Sequence, residues 1–413
     1  MTDLLILRER RFLREQKLAQ EGTVVTIKPN VPGADKRFVY SDYASYVLFG
    51  ELTAHFAPVQ TIAEHDWEGL VFTLLLQEAP ETVKQACMQW EEAHPLGRLT
   101  DLDVSGKGRV YSRQDAGYPP RRCYICQKPA VVCSRSEAHS AAALRAHIKQ
   151  TVLAYLNKRD ETGRLLPGRC AEMALLSELC REYGFGCVTV HDSGSHTDMD
   201  FFTFLRHLPV MGQHLDEMVH ADISDFSSLR AYGRRMEQAM LQATGGINTH
   251  KGAIFLYLLL AKAFGDCRSL PLLPARIRQI AAPVQADFSG SKDTAGLLLY
   301  EKYGITGIRG QALRGFPALF IARALPETPD AFLRLTLQLL QEMEDTNAIH
   351  RGGMTGWQTL QRKAKKAEGN EDRIRELDDW CKKQGISTGG TADLVGGTVF
   401  IHALDACERM WNK

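Results

Sequence analysis

The chain has 413 residues, 44% of them hydrophobic, which is enough for two ordinary domains that each bury a core. Lys and Arg number 50 against 49 Asp and Glu, and a net charge of +1 supplies no global field to recruit nucleic acid or an anionic membrane. No run approaches the roughly 20 uninterrupted apolar residues of a membrane span, and charged Arg8, Glu9, Arg10 and Arg11 stand where a signal peptide would have its apolar core. A cytoplasmic protein is expected, with neither membrane nor nucleic acid among its partners. Ten cysteines in that setting read as reduced thiols or metal ligands. Cys170, Cys180, Cys187, Cys267, Cys381 and Cys407 lack ligand-like spacing and read as small buried apolar residues.

In chain order, the pattern predicts a charged amphipathic helix over Leu4 to Ala19 and a β-rich run from Thr23 to Ile27. Helical stretches follow near Tyr43 to Phe56 and Glu81 to Ala93, then short strands around Leu99 to Val104 and a helix from after His139 to about Asn157. This first part is α+β. The polar stretch Lys158 to Arg164, with Asp160, Glu161 and Gly163, reads as a linker between domains spanning 1–158 and 165–413. Beyond it, apolar residues recur at helical spacing over Cys170 to Tyr183, Phe201 to His207, Leu229 to Ala243, Ala253 to Phe264, Ala331 to Glu344 and Asn370 to Lys383. Almost nothing alternates with period two, so the second domain is expected to be all-α.

Asp101 and Asp103 lie one residue apart in a β-prone run, and strand alternation aims both carboxylates at one face. That arrangement suits magnesium and nucleotidyl transfer, in which metals neutralise the attacked phosphate and the departing pyrophosphate; solvated strand residues are the ordinary alternative. Further on, Cys123-x2-Cys126-x6-Cys133-x5-His139 offers four ligands and a two-residue knuckle. A closed, structural tetrahedral Zn2+ site is compatible with it, as is a cluster of reduced cysteines beside a proline turn.

Four glycine-containing polar strings interrupt the later helices: Asp192 to Asp200, Thr244 to Gly252, Thr306 to Gly310 and Asp345 to Gly353. Glycines let the backbone approach a phosphate, and N–H groups at a following helix start stabilise its charge. Asp and Asn add magnesium ligands, and Lys251, Arg309 and Arg351 add donors to phosphate oxygens. The second string carries its lysine before the last glycine, so it is not a Walker A loop.

The runs Gly246 to Gly252, Tyr303 to Gly310 with Gly315-Phe316-Pro317, Asp345 to Gly353 and Gly389 to Asp393 resemble triphosphoribosyl-dephospho-CoA synthase from about Leu166 onward. The resemblance implies a reaction that takes ATP and dephospho-CoA, releases adenine and joins the triphosphorylated ribose to a 2′-hydroxyl. Such a transfer passes through an oxocarbenium-like state, and so needs a carboxylate by the attacking hydroxyl, an acid by the adenine and a magnesium-held triphosphate. On this reading Asp198 and Asp345 are the carboxylates, Asp345 also facing Mg2+, and Asn248 and Asn347 are polar or metal-facing groups. His250 and His350 are proton donors or phosphate contacts, while Ser195, His196, Gly246, Thr249, Lys251, Arg309 and Arg351 hold phosphates. Where the family has a Lys-Pro-Gly-Leu-Val-Asp run, this chain has Gly184 to Thr189, so the resemblance leaves open whether another cation replaces that lysine or the lysine only shapes the loop.

Arg8-Glu9-Arg10-Arg11 with Gln16, Asn30 to Lys36, and Pro119-Pro120-Arg121-Arg122-Cys123 resemble apo-citrate lyase phosphoribosyl-dephospho-CoA transferase over nearly all of residues 4 to 157. That family moves the prosthetic-group precursor onto a serine of the citrate lyase acyl carrier subunit with loss of pyrophosphate. The resemblance implies a nucleotidyltransferase-like domain in which Asp101 and Asp103 hold Mg2+. Arg8, Arg11, Lys36 and Arg98 become candidates for the phosphates or the carrier, whereas Arg10 and Arg14 read as a solvated helix face. Competing readings are the same chemistry serving malonate decarboxylase, and a first domain that is only a zinc-stabilised docking module for the carrier.

Overall fold

The computed structural model describes residues 2–33, 35–290 and 294–412; Ala34 of the Asn30 to Lys36 motif lies outside the described residues. Two compact units form, residues 1–155 and 156–413.

The first unit contains α1 (Thr2–Leu18), β1 (Thr23–Pro29), α2 (Val39–His55), β2 (Gln60–Asp66), β3 (Gly69–Leu76), α3 (Pro80–Ala93), β4 (Thr100–Gly106), β5 (Arg109–Tyr111), α4 (Ala130–Arg135) and α5 (Ala141–Leu156). The strands make one antiparallel sheet in the order β2-β3-β1-β4-β5. The β2-β3 hairpin is absent from the sequence reading because β3 is apolar at nearly every position. It is buried throughout and shows no period-two pattern.

Register decides what each face of this sheet carries. Thr26 pairs with Asp103 and Lys28 with Asp101, so these four side chains share a face, while Val25, Ile27, Leu102 and Val104 point the other way, into the core under α2 and α3. The polar face is crossed by α1, anchored where Leu18 packs on Val24 and Leu75.

The second unit is helical, with no strand among its described residues: α6 (Gly168–Leu179), α7 (Phe201–Met218), α8 (Phe226–Ala243), α9 (Lys251–Cys267), α10 (Leu273–Ala281), α11 (Ala295–Tyr303), α12 (Gly307–Leu313), α13 (Pro329–Glu342), α14 (Thr346–Ala367), α15 (Glu371–Lys383) and α16 (Gly389–Trp411). α16 is buried along most of its length and forms the central helix, touching α6, α9, α13 and α14. Asp200 and Asp225 start α7 and α8 with capping boxes.

Two of the four polar strings are not loops. Residues 307–310 open α12, and 346–353 form the first turns of α14, whose path breaks at Gly353 (φ 67°, ψ 177°), a conformation reserved for glycine. The stretch read as a linker is an ordered turn of the second unit. Asp160 Oδ1 accepts from the N–H groups of Thr162 and Arg164, each at 2.9 Å, and Arg159 is paired with Glu408 at 3.0 Å.

α6 and α7 cross through paired glycines: a Cβ at Gly168 would overlap the Gly212 carbonyl oxygen, whereas one at Gly50, on the exposed side of α2, meets nothing. Gly168→Ala should therefore destabilise the chain by about 1–3 kcal/mol through overpacking, while Gly50→Ala should leave stability unchanged or raise it by up to about 1 kcal/mol. Urea denaturation of the two variants beside the parent measures the contrast.

Candidate active sites

The start of α16 gathers expected residues of two of the four polar strings. Ser195 Oγ donates to the Ile386 carbonyl at 2.7 Å, and His196 Nε2 lies 3.1 Å from Ser387 Oγ. Arg351 donates to the Ser195 carbonyl at 3.2 Å and reaches His196 Nδ1 at 3.3 Å. Asp198, largely exposed, stands 3.8 Å from the same His196 nitrogen. Ser195, His196, Asp198 and Arg351 are thus brought together, at the rim. Burial and the neighbouring Arg351 hold the His196 imidazole below its usual pKa, so it acts as a neutral hydrogen-bonding group.

Deeper in, Asp345 is 3% exposed. Its Oδ1 accepts from the N–H groups of Asn347 and Ala348, capping α14, and its Oδ2 accepts from Thr391 N–H at 2.7 Å and Thr391 Oγ at 2.9 Å, at the start of α16. Both oxygens are fully engaged in joining two helix N-termini. That corrects the expectation that Asp345 faces magnesium or substrate. Burial raises its pKa, against the pull of these hydrogen bonds. Asn347 is exposed, with its amide close against Gly389.

Other expected contacts are distributed elsewhere. His250 is buried, its Nδ1 2.8 Å from Nδ1 of His207, so it reaches no phosphate from the surface; the apolar start of α9 draws it inward beside Phe204. Lys251 is paired with Glu237 of α8, and Asn248 Oδ1 accepts the Lys251 N–H at 3.2 Å as a helix cap. Arg309 is turned onto Asp287 at 3.1 Å, a carboxylate it shares with Arg230. His350 and Gly246 are exposed, and Thr249 Oγ is buried without a partner.

Asp393 is not among the residues that type and spacing single out. It lies in the first turns of α16, half-buried, and its carboxylate has no hydrogen-bond or ion-pair partner among the described residues. Desolvation, then the nearby Glu178 and Asp345 carboxylates, raise its pKa well above the usual range. The last motif, Gly389 to Asp393, contained the signal, but no spacing rule singled out its aspartate.

In the first unit, Asp101 and Asp103 share the polar sheet face. Asp103 pairs with Lys28 at 2.6 Å, Asp101 with Arg121, and Arg121 also bonds Glu91 at 2.6 Å. Thr26 Oγ donates to Glu15 of α1 at 2.6 Å. Arg11 is corrected as a phosphate or carrier contact: it is 6% exposed and held by Glu64, Asp66 and Glu68 at 3.2, 2.6 and 2.5 Å, because the β2-β3 hairpin places those carboxylates beneath α1. Arg14 is no solvated residue either, donating to both oxygens of Glu64. Arg8 and Lys36 both approach Glu68, at 3.0 and 3.7 Å. Arg98 donates to the Arg122 carbonyl.

Cys123, Cys126, Cys133 and His139 bring their ligand atoms within 4.8 Å of one another, with Cys126 Sγ 3.3 Å from Cys133 Sγ and 3.2 Å from His139 Nε2. The donor set and its size suit a tetrahedral metal ion. The cluster closes a small hairpin in which Cys123 N–H donates to the Lys128 carbonyl and Ala130 N–H to the Arg121 carbonyl. Arg121, the partner of Asp101, is thereby fixed in place.

Known families match both units. A family model described as ATP:dephospho-CoA triphosphoribosyl transferase covers residues 164–412, and one described as apo-citrate lyase phosphoribosyl-dephospho-CoA transferase covers residues 1–155. The chain is similar to a Haemophilus influenzae protein called CitXG, 30% identical over 95% of this chain and 93% of the relative. A CitXG of Leuconostoc mesenteroides is 27% identical over 96% and 95%. A 2-(5''-triphosphoribosyl)-3'-dephosphocoenzyme-A synthase of Haemophilus ducreyi is 30% identical over 68% of this chain and 100% of its own.

The His207-His250 pair gives a pH test. Burial pushes His207 down to about 4 and His250 well below its ordinary 6.5. The unfolded chain binds these protons below about pH 6.5 and the folded chain does not. Their contribution to stability is therefore complete above 6.5 and is lost as pH falls toward 4, at about 1.4 kcal/mol per pH unit per histidine. His207→Gln should show a shallower decline in urea midpoint between pH 6.5 and 4.5 than the parent.

Proposed function

Because the chain belongs to the ATP:dephospho-CoA triphosphoribosyl transferase family in its second unit and to the apo-citrate lyase phosphoribosyl-dephospho-CoA transferase family in its first, we propose that it carries out two consecutive steps in the cytoplasm. The protein is a bifunctional transferase. The second unit takes ATP and dephospho-CoA, releases adenine and yields 2′-(5″-triphosphoribosyl)-3′-dephospho-CoA. The first unit transfers the phosphoribosyl-dephospho-CoA group onto a serine of the citrate lyase acyl carrier subunit and releases pyrophosphate. The observation that carries the reading of the second unit is the meeting of two of its motif strings, Asp192 to Asp200 and Asp345 to Gly353, with the Gly389 to Asp393 motif at the α16 N-terminus, where His196, Arg351 and Asn347 stand.

Within the second unit, Arg351 and the helix starts bind and orient the triphosphate, and Asp345 holds the two helices in register for it. Within the first, the nucleotidyltransferase-like reading assigns Asp101 and Asp103 to Mg2+, which when bound would neutralise charge on the phosphates. Two carboxylates on one strand face fit such an ion, and Lys28 and Arg121, their present partners, are the cations best placed to meet phosphate oxygens. Purified protein given ATP, Mg2+, dephospho-CoA and apo carrier should release adenine and add one phosphoribosyl-dephospho-CoA mass to the carrier. An Asp101→Asn, Asp103→Asn double variant should still release adenine while losing at least about 100-fold in carrier loading. Retained loading would remove the metal assignment.

The reading assigns a structural Zn2+ to Cys123, Cys126, Cys133 and His139, where it would hold the Arg121 hairpin. Metal analysis of protein purified without chelator should find about one zinc per chain. Cys126→Ser should lose it and slow carrier loading, with adenine release unchanged; metal-free parent protein with full loading would contradict the assignment.

A further inference from the structure

We propose that Asp393 is a further catalytic carboxylate of the second unit, the base that takes the proton from the attacking ribose 2′-hydroxyl. The inference rests on the synthase reading above.

The geometry is specific. Asp393 on α16 faces the first turn of α9, where Gly252 stands. A Cβ at 252 would overlap Asp393 Oδ2, so the glycine is what leaves room for the carboxylate. One turn further along α16, Gly396 admits the hydroxyl of Tyr257 from α9, and a Cβ there would lie 2.6 Å from it. That hydroxyl is fully buried and has no hydrogen-bond partner, as is the buried Thr249 Oγ just before α9. Tyr257 interacts electrostatically with Asp393, so an orphaned buried hydroxyl neighbours a carboxylate without partners, and the recess that Gly252 leaves there suits a polar group of the substrate.

Two aspartates at this helix junction differ in their hydrogen bonding, which separates a structural group from one free to act. Asp345 has every oxygen engaged, whereas Asp393 has none. The charged or titratable groups facing Asp393 are Glu178 of α6, itself bonded to Arg181 at 2.6 Å, together with Asp345 and Tyr257. No cation neutralises Asp393 among the described residues, so its proton affinity is raised toward what a base needs.

In the step itself, the 2′-oxygen of dephospho-CoA bonds to C1 of the ATP ribose while the bond from C1 to N9 of adenine breaks, its electron pair leaving with N9. The hydroxyl proton passes to Asp393 and on to water, and the departing adenine takes one proton up from water, so the two transfers cancel.

Asp393→Asn in the full chain tests this by adenine release from ATP and dephospho-CoA. The turnover number should fall by about 10²–10⁴-fold, with the KM for dephospho-CoA within a few-fold of the parent and a melting temperature at or above it. The parent's rate should fall on the acid side, above the ordinary carboxylate range, and this limb should vanish in the variant. Gly252→Ala provides a second arm: alanine suits a helix, yet here it displaces the carboxylate. It should reduce release comparably and add little in the Asp393→Asn background. A parent that releases adenine beside an Asp393→Asn variant within a few-fold of it, acid limb intact, overturns the inference alone. A parent that releases none overturns the synthase reading and the inference with it.

Discussion

A carboxylate with almost no access to water is tolerable only when hydrogen bonds replace its lost hydration, and Asp345 meets that condition by drawing on two helices at once. Helix starts leave N–H groups unsatisfied, and those of α14 and α16 converge on its two oxygens. The geometry of the whole second site follows. With Thr391 tied to Asp345, the residues before it, Ile386 and Ser387, are presented to Ser195 and His196, and the residue two beyond it, Asp393, is presented to α9. Loss of the Asp345 carboxylate would therefore strand donors on two helices together, which accounts for a buried aspartate without a direct chemical role.

The first unit solves a related problem on a sheet. Its polar face collects Glu15, Glu64, Asp66, Asp101 and Asp103, and the arginines of α1 and the Arg121 hairpin neutralise them in two groups. At α1, Arg11 is buried among three carboxylates, so that contact serves packing. The group around Asp101 and the half-exposed Asp103 is held by two residues, Lys28 and Arg121, from separate elements. Exchangeable partners of this kind distinguish a working face from a fastening.

Residue type and spacing revealed much of this. Helical periodicity showed the second unit to be helical, and paired aspartates in a β-prone run indicated a shared strand face. Three things lay outside what local pattern encodes. A strand buried on both faces has no alternation, which hid β3 and, with it, the carboxylates that occupy Arg11. Glycine-rich strings read as loops because composition does not distinguish a loop from the opening turns of a helix, as at Gly307 and Thr346. Finally, burial is a tertiary property: His250 and Asp345 looked like reactive groups by type, while Asp393, in a modest helical sequence, became desolvated without a partner only when α16 packed on α9.

Gly252 shows what such packing does to a sequence over time. A glycine in a helix is less favourable than alanine, by up to about 1 kcal/mol in an interior position, so drift unopposed by selection would replace it, and a lineage no longer using this chemistry would gain stability by doing so. The residue thus records use: a descendant carrying alanine at 252 would keep the helices, the core and the family likeness while having relinquished the recess, and that one position would separate a working copy from a preserved shell.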